Sequence, residues 1–203
     1  MPIQLTKPID TTKPLSKQAI TNIQHIIGTL LYYSQAVDPT ISVALSSLAA
    51  EQAKGTENTA KVIVKLLNYC ATHPDAALRY QRSDMILRVH SDTSYLTEPR
   101  TRCRTGGYFF LGNKHDNFIN APILTPTGVI KVVVSLAAEA KMAGLFTNMK
   151  EATALRTTLE EMGHPQPPTP VQVDNSTACG IANDNIKLQR SRAIDMRFYW
   201  VRD

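Results

Sequence analysis

Residues 85–92 read MILRVHSD, and the pattern of this stretch sets the fold class of the second half of the chain. Its apolar residues Met85, Leu87 and Val89 fall on every second position, as in a β-strand with one buried face. Asp92 ends this predicted strand. A carboxylate there either closes an Asx-turn or is a functional group at the sheet edge.

Three further strands and three helices are predicted downstream of this strand. The strands are 106–111 (GGYFFL), 129–134 (VIKVVV) and 171–174 (VQVD), and the helices are 139–163, 176–182 and about 191–201. The order of the elements predicts an α/β fold. Asp174 ends the fourth strand, where it either caps the next helix or serves a site. If the first and fourth strands are neighbours, Asp92 and Asp174 meet at one edge, and such oxygen ligands suit Mg²⁺.

The first half of the chain has the helical period. Ser16 is a predicted N-cap, Asp38-Pro39 opens a second helix, and Thr56 caps a third that ends at His73-Pro74. The apolar stripe of the third helix is predicted at Val62, Leu66 and Leu67. Three amphipathic helices with short turns predict a small bundle over residues 1–84, followed by the α/β region over 85–203.

Composition excludes several protein classes. With 43% hydrophobic and 19% charged residues in 203, the chain has the make-up of a folded globular protein. We expect no membrane span, because no apolar run approaches about 20 residues. We expect no secretory signal, because the N-terminal stretch MPIQLTKPID lacks an apolar h-region. Three widely spaced cysteines favour an intracellular location, in cytoplasm or nucleus. The formal charge of +5 suits a polyanionic partner, although basic residues are more often simply solvated.

Several motifs together resemble a known family. They are HSDTSYLTEPRTRCRTGGYFFLG from residue 90, the AAEA helix start, VDNSTA from residue 173, and RAIDMRFYWVRD at the end. These motifs look like the ribonuclease H domain of a copia-type LTR retrotransposon polyprotein. The helical segment before them resembles the connection region that follows the family's reverse transcriptase. The resemblance covers the chain from about residue 15 onward.

The resemblance implies a ribonuclease H-like mixed sheet with flanking helices and two-metal, Mg²⁺-dependent hydrolysis of the RNA strand of RNA–DNA hybrids. Asp92 and Asp174 match catalytic metal-binding carboxylates of the family, and Glu139 is the remaining candidate for a third. The basic cluster Arg100, Arg102 and Arg104 becomes a candidate for phosphate contacts.

The sequence departs from the family at two places. Lys141 stands where the helix motif AEAE has its second glutamate, a metal ligand. Glu139 lies two residues earlier and points about 200° away around a helix, so it substitutes only if the helix is rotated or the alignment slips. The family's last strand and Ala-Asp motif have no counterpart before Asp203. Asp195 is expected on a helix surface instead. The metal site is therefore expected to be incomplete.

Three hypotheses follow from these observations. The chain is a retrotransposon reverse transcriptase/ribonuclease H fragment with impaired hydrolysis, a non-catalytic nucleic-acid-binding or interaction module, or a decayed relic. The expected partners are an RNA–DNA hybrid, and either the rest of the polyprotein or a second copy at a sheet edge left unpaired by the absent strand.

Overall fold

A computed structural model of the chain describes residues 10–98, 101–115, 118–131, 134, 136–176, 179–180 and 183. The chain divides into two compact units, with the division between Arg79 and Tyr80. This lies a few residues before the boundary expected at 84. In the described part of the chain, no helix combines the length and apolar character needed to cross a membrane.

The N-terminal unit contains three α-helices: α1 (Lys17–Ala36), α2 (Ser42–Glu51) and α3 (Glu57–Thr72). Two of the predicted caps are present: the Ser16 hydroxyl accepts from Ala19 N, and the Thr56 hydroxyl accepts from Thr59 N within a capping box. Asp38 does not cap α2 but a short 3-10 helix, Pro39–Ile41, that precedes it. The helices share a core made of buried aliphatic side chains, namely Ile23, Ile27, Leu30, Ile41, Leu45, Leu48, Ile63 and Leu66. The predicted helical region is confirmed.

The predicted stripe on α3 was partly wrong. Leu66 is buried, but Val62 and Leu67 are 36% and 38% exposed, and Ile63 is buried instead. The buried positions follow Thr59, Ile63 and Leu66, a spacing of four and then three that keeps one line down the helix. The choice between these overlapping stripes depends on where α1 and α2 pack.

The C-terminal unit is built on a mixed sheet of five described strands. They are β1 (Ile86–Glu98), β2 (Arg102–Gly112), β3 (Pro122–Leu124), β4 (Thr127–Val129) and β5 (Val171–Val173). Strand β2 pairs antiparallel with β1, β3 and β4, while β5 pairs parallel with β1, in the order β3-β2-β1-β5. The predicted α/β class with flanking helices is confirmed.

Several predicted strand boundaries were wrong. β2, expected at 106–111, begins at Arg102, and β5 ends at Val173, one residue before Asp174. β1 does not end at Asp92 but runs on to Glu98, because its hairpin with β2 continues the ladder past the apolar segment. Strand structure within 129–131 stops at Val129, so the expected third strand is replaced by the short β3 and β4. Ile130 still donates to the Cys103 carbonyl, at 2.8 Å. Residues 132 and 133 lie outside the described part.

Helix α4 (Ala137–Glu161) packs on the sheet at very short range. A Cβ added to Gly144 would lie 2.0 Å from the Thr93 hydroxyl oxygen and 2.8 Å from that of Thr105. One turn later, buried Asn148 donates to Ser91 Oγ at 2.8 Å and to a strand carbonyl of β2 at 3.0 Å. The close approach and these hydrogen bonds fix the height of α4 over β1 and β2.

Gly144→Ala should therefore destabilise the C-terminal unit. The added methyl group collides with the hydroxyl of Thr93, a β-branched side chain on β1 with few alternative rotamers, and such overpacking costs about 1–3 kcal/mol. Thermal or urea unfolding of the variant measures this loss.

Gly28→Ala is the matched control, because Gly28 lies within α1 and nothing stands within 4 Å of its added Cβ. The same change there should stabilise α1 by about 0.5–1 kcal/mol through helix propensity. Equal effects at both glycines would contradict the close packing of α4 on β1.

Candidate functional site

The site begins with the pairing of β1 and β5. In the parallel ladder, Ser91 stands opposite Val173. Asp92 and Asp174 are the next residue along each strand, so they lie at the same height at the carboxyl end of the β5 pairing. Ligand sites of open α/β sheets form at this end of parallel strands. The expected convergence of the two carboxylates is present.

Lys141 lies between the two aspartates. Its ammonium nitrogen Nζ is 2.5 Å from Asp92 Oδ1 and 2.6 Å from Asp174 Oδ1, and it donates a hydrogen bond to each. The Lys141 side chain is only 13% exposed, whereas those of Asp92 and Asp174 are 74% and 66% exposed. One nearly covered cation thus joins two carboxylates that face solvent.

The position of Lys141 follows from how α4 packs. Its neighbours Ala140 and Met142 are buried, and Gly144, less than one turn later, is pressed against β1. Lys141 therefore starts from the packed side of the helix and its long stem extends along the protein to the sheet edge.

The ion pairs shift the pKa values of Asp92 and Lys141. The Lys141 hydrogen bond is the largest effect on Asp92 and holds the pKa of that carboxyl below its usual value. Burial on its own lowers the pKa of Lys141, but the hydrogen bonds to Asp174 and Asp92 together outweigh burial and raise it above the ordinary value. Lys141 is therefore a cation at neutral pH and is not available as a base or nucleophile.

The proline-rich loop 164–170 determines where β5, and therefore Asp174, lies along β1. Within it, buried Gln166 accepts from Leu87 N at 2.9 Å and donates to the Met85 carbonyl at 2.9 Å. The Gln166 amide thus pairs with the backbone at the beginning of β1, just before the ladder between β1 and β5 starts at Val89. Arg156 on α4 donates to the backbone carbonyls of Gln166 and Pro167. These bonds hold the loop against both the sheet and the helix.

Glu139 is not brought into the site. Within the described ranges, no group of three or more His, Cys, Asp or Glu side chains could hold a metal ion. Glu139 is half-buried near the start of α4. The physical reason is the one expected from the sequence: two residues along a helix turn the side chain about 200° away from Lys141.

These residues do not fit a magnesium ion. Two carboxylates, with water, would be an ordinary Mg²⁺ ligand set. An ion bound to both oxygens, however, would need the space in which the Lys141 ammonium lies, and an ammonium has three donors and no acceptor. The third position of the site carries a cation where a metal site needs a ligand.

The arginine cluster is divided by the structure. Arg102 is exposed at the start of β2. The Arg104 side chain is only 7% exposed, and its Nε lies 2.6 Å from Glu98 Oε1, in an ion pair within the hairpin. Arg100 lies outside the described residues, as do Asp195 and the helix expected near 191–201. Arg102 is therefore the member of the cluster that the described hairpin presents to solvent.

Sequence reasoning missed two buried amides and one ion pair. The amides are those of Asn148 and Gln166, which bind residues far away in the sequence, and the ion pair joins Glu98 to Arg104 across a hairpin turn. The period of a helix or strand does not report such contacts. A signal existed for two of them: an amide within an apolar helix stripe and a glutamine between prolines both indicate a buried polar partner.

Comparison with known proteins gives one informative match. Over 177 residues, 87% of its length, the chain is 23% identical to a Nicotiana tabacum protein, "Retrovirus-related Pol polyprotein from transposon TNT 1-94". This homology supports a retrotransposon polyprotein fragment. The chain spans 13% of the length of that relative. No family model matches the chain, and no solved structure does.

Replacing Gln166 tests the loop that aligns β5. In Gln166→Ala, the Leu87 N–H and the Met85 carbonyl lose their hydrogen bonds to the buried Gln166 amide, which costs about 1–3 kcal/mol. Chemical unfolding measures the loss. Gln172→Ala on β5 is the control, because Gln172 is exposed, and its effect should stay within about 0.5 kcal/mol. Similar losses for both glutamines would show that Gln166 does not anchor the loop.

Proposed function

We propose that this retrotransposon polyprotein fragment is the reverse transcriptase connection region and ribonuclease H-like domain of a copia-type element. The observation that carries the proposal is the pair formed by Asp92 on β1 and Asp174 just after the neighbouring β5, with a residue from α4 completing the group. Similarity to a transposon Pol polyprotein along 87% of the chain supports it.

We further propose that this domain binds RNA–DNA hybrids but hydrolyses them weakly or not at all. In the family that the sequence resembles, hydrolysis depends on Mg²⁺ held by carboxylates. Here Lys141 forms an ion pair with both carboxylates, and the described part of the chain brings no third acidic side chain to them. Binding does not depend on these groups, because contacts to phosphates dominate the affinity of proteins for nucleic acids.

The positive charge of the chain supports the binding role. The formal charge is +5, and Arg102 is exposed on the same hairpin that carries Asp92. A hybrid would be recognised through its backbone and 2′-hydroxyl groups rather than its sequence. The other proposed partners are the remaining polyprotein or a second copy at an exposed sheet edge.

A cleavage assay tests the loss of hydrolysis. The purified chain, incubated with an end-labelled RNA–DNA hybrid and either Mg²⁺ or Mn²⁺, should release few or no RNA fragments beyond those of a no-protein control. The reason is that the carboxylates are already paired with Lys141. Robust metal-dependent cleavage that Asp92→Asn abolishes would refute this part of the proposal.

A binding measurement tests the nucleic-acid role separately. Hybrid affinity should fall steeply with salt. Arg102→Gln should flatten the slope of log K against log salt by about 0.9 if one phosphate contact is lost. Lys65→Gln removes the same charge from an exposed position on α3 and is the control. Salt-insensitive binding, or equal effects of the two variants, would count against a contact at Arg102.

A further inference from the structure

We propose that Asp92, Lys141 and Asp174 form a cation site whose cation is built into the protein. The Lys141 ammonium takes the place of a divalent ion and excludes Mg²⁺ and Mn²⁺ from the two carboxylates. This goes beyond the proposed function, because it concerns which cation the site accepts and needs neither ribonuclease H ancestry nor hybrid binding.

The contacts of the ammonium are those of a bridging ion. Nζ lies 2.5 and 2.6 Å from one oxygen of each aspartate, and both bonds are charge-assisted. The Lys141 side chain is 13% exposed, so the charge lies inside the pair rather than in the solvent around it. A second cation at the same oxygens would overlap with the ammonium and would be repelled by its positive charge.

Tethering favours the ammonium over a dissolved ion. Lys141 belongs to α4, whose position is fixed by the Gly144 contact with Thr93 and by the Asn148 hydrogen bonds. An attached group competes at a high effective concentration, which short links bring into the millimolar range. A free divalent ion must displace it and leave the nearly covered ammonium without its partners, a costly arrangement.

The built-in cation also joins two weakly connected strands. β5 is three residues long and pairs with β1 only at positions 89–91. The Lys141 bridge is a side-chain connection one residue beyond the end of that ladder. Asp92 and Asp174 would otherwise face each other as like charges, which is unfavourable at such a short separation. The ammonium therefore removes this repulsion without a metal.

Manganese binding to the full chain tests the proposal without reference to activity. Free Mn²⁺ is measured by electron paramagnetic resonance, and the melting temperature is recorded with and without Mn²⁺. Wild type should show neither saturable binding nor a Mn²⁺-dependent rise in melting temperature. Lys141→Glu brings three carboxylates together and should bind Mn²⁺ at least about tenfold more tightly than wild type.

Lys150→Glu is the matched control, since it makes the same charge change at an exposed position of the same helix. It should not gain Mn²⁺ affinity. Adding Asp174→Asn to Lys141→Glu should remove most of the gain and so locate the ion. Lys141→Gln removes the ammonium without adding a carboxylate, and its lower melting temperature should recover with Mn²⁺. It serves as the second variant if Lys141→Glu does not fold.

Two results would overturn the proposal. One is wild-type Mn²⁺ binding as tight as that of Lys141→Glu and lost on Asp92→Asn, which would mean that the ammonium moves aside. The other is folded Lys141→Gln or Lys141→Glu that gains neither Mn²⁺ binding nor Mn²⁺-dependent stability. Failure of hybrid binding would leave these readouts unchanged, so the proposed function and this inference are tested separately.

Discussion

One ammonium shared by two carboxylates connects the parts of the C-terminal unit. Lys141 reaches Asp92 on β1 and Asp174 after β5, at 2.5 and 2.6 Å, so a helix and two strands meet at a single charge. This contact requires the β1–β5 register to be correct to the residue, because a shift by one turns a side chain to the other face. The geometry of the bridge is thus a consequence of the sheet.

Two buried amides provide the accuracy that the bridge needs. Asn148 ties α4 to β1 and β2, and Gln166 ties the loop before β5 to the edge of β1. Each satisfies backbone or hydroxyl groups that would otherwise be buried without partners, which makes other placements costly. Gly144 adds a close approach that no larger residue fits without movement. The site is therefore positioned by polar contacts and small size as much as by apolar burial.

The proposal of a ribonuclease H-like domain is supported both by homology to a transposon Pol polyprotein and by the placement of the aspartates. A carboxylate pair at the carboxyl end of neighbouring strands suits divalent ions. A lysine at the third position reverses the charge there. Under the proposed function, the frame of such a site is retained while its chemistry is altered, and the ammonium offsets part of the negative charge that a divalent metal would offset. In that proposal, binding of a polyanion and loss of hydrolysis are compatible properties of one domain.

The sequence by itself determined the local elements: the caps at Ser16 and Thr56, the alternation in β1, and the placement of one aspartate in β1 and of the other next to β5. These are properties of neighbouring residues, which period and capping report directly. Only the tertiary structure decided that β1 continues to Glu98, that β3 and β4 replace the third predicted strand, and that Lys141 joins the aspartates while Glu139 does not. Such features depend on which distant segments pair and in what register, and local patterns do not record that.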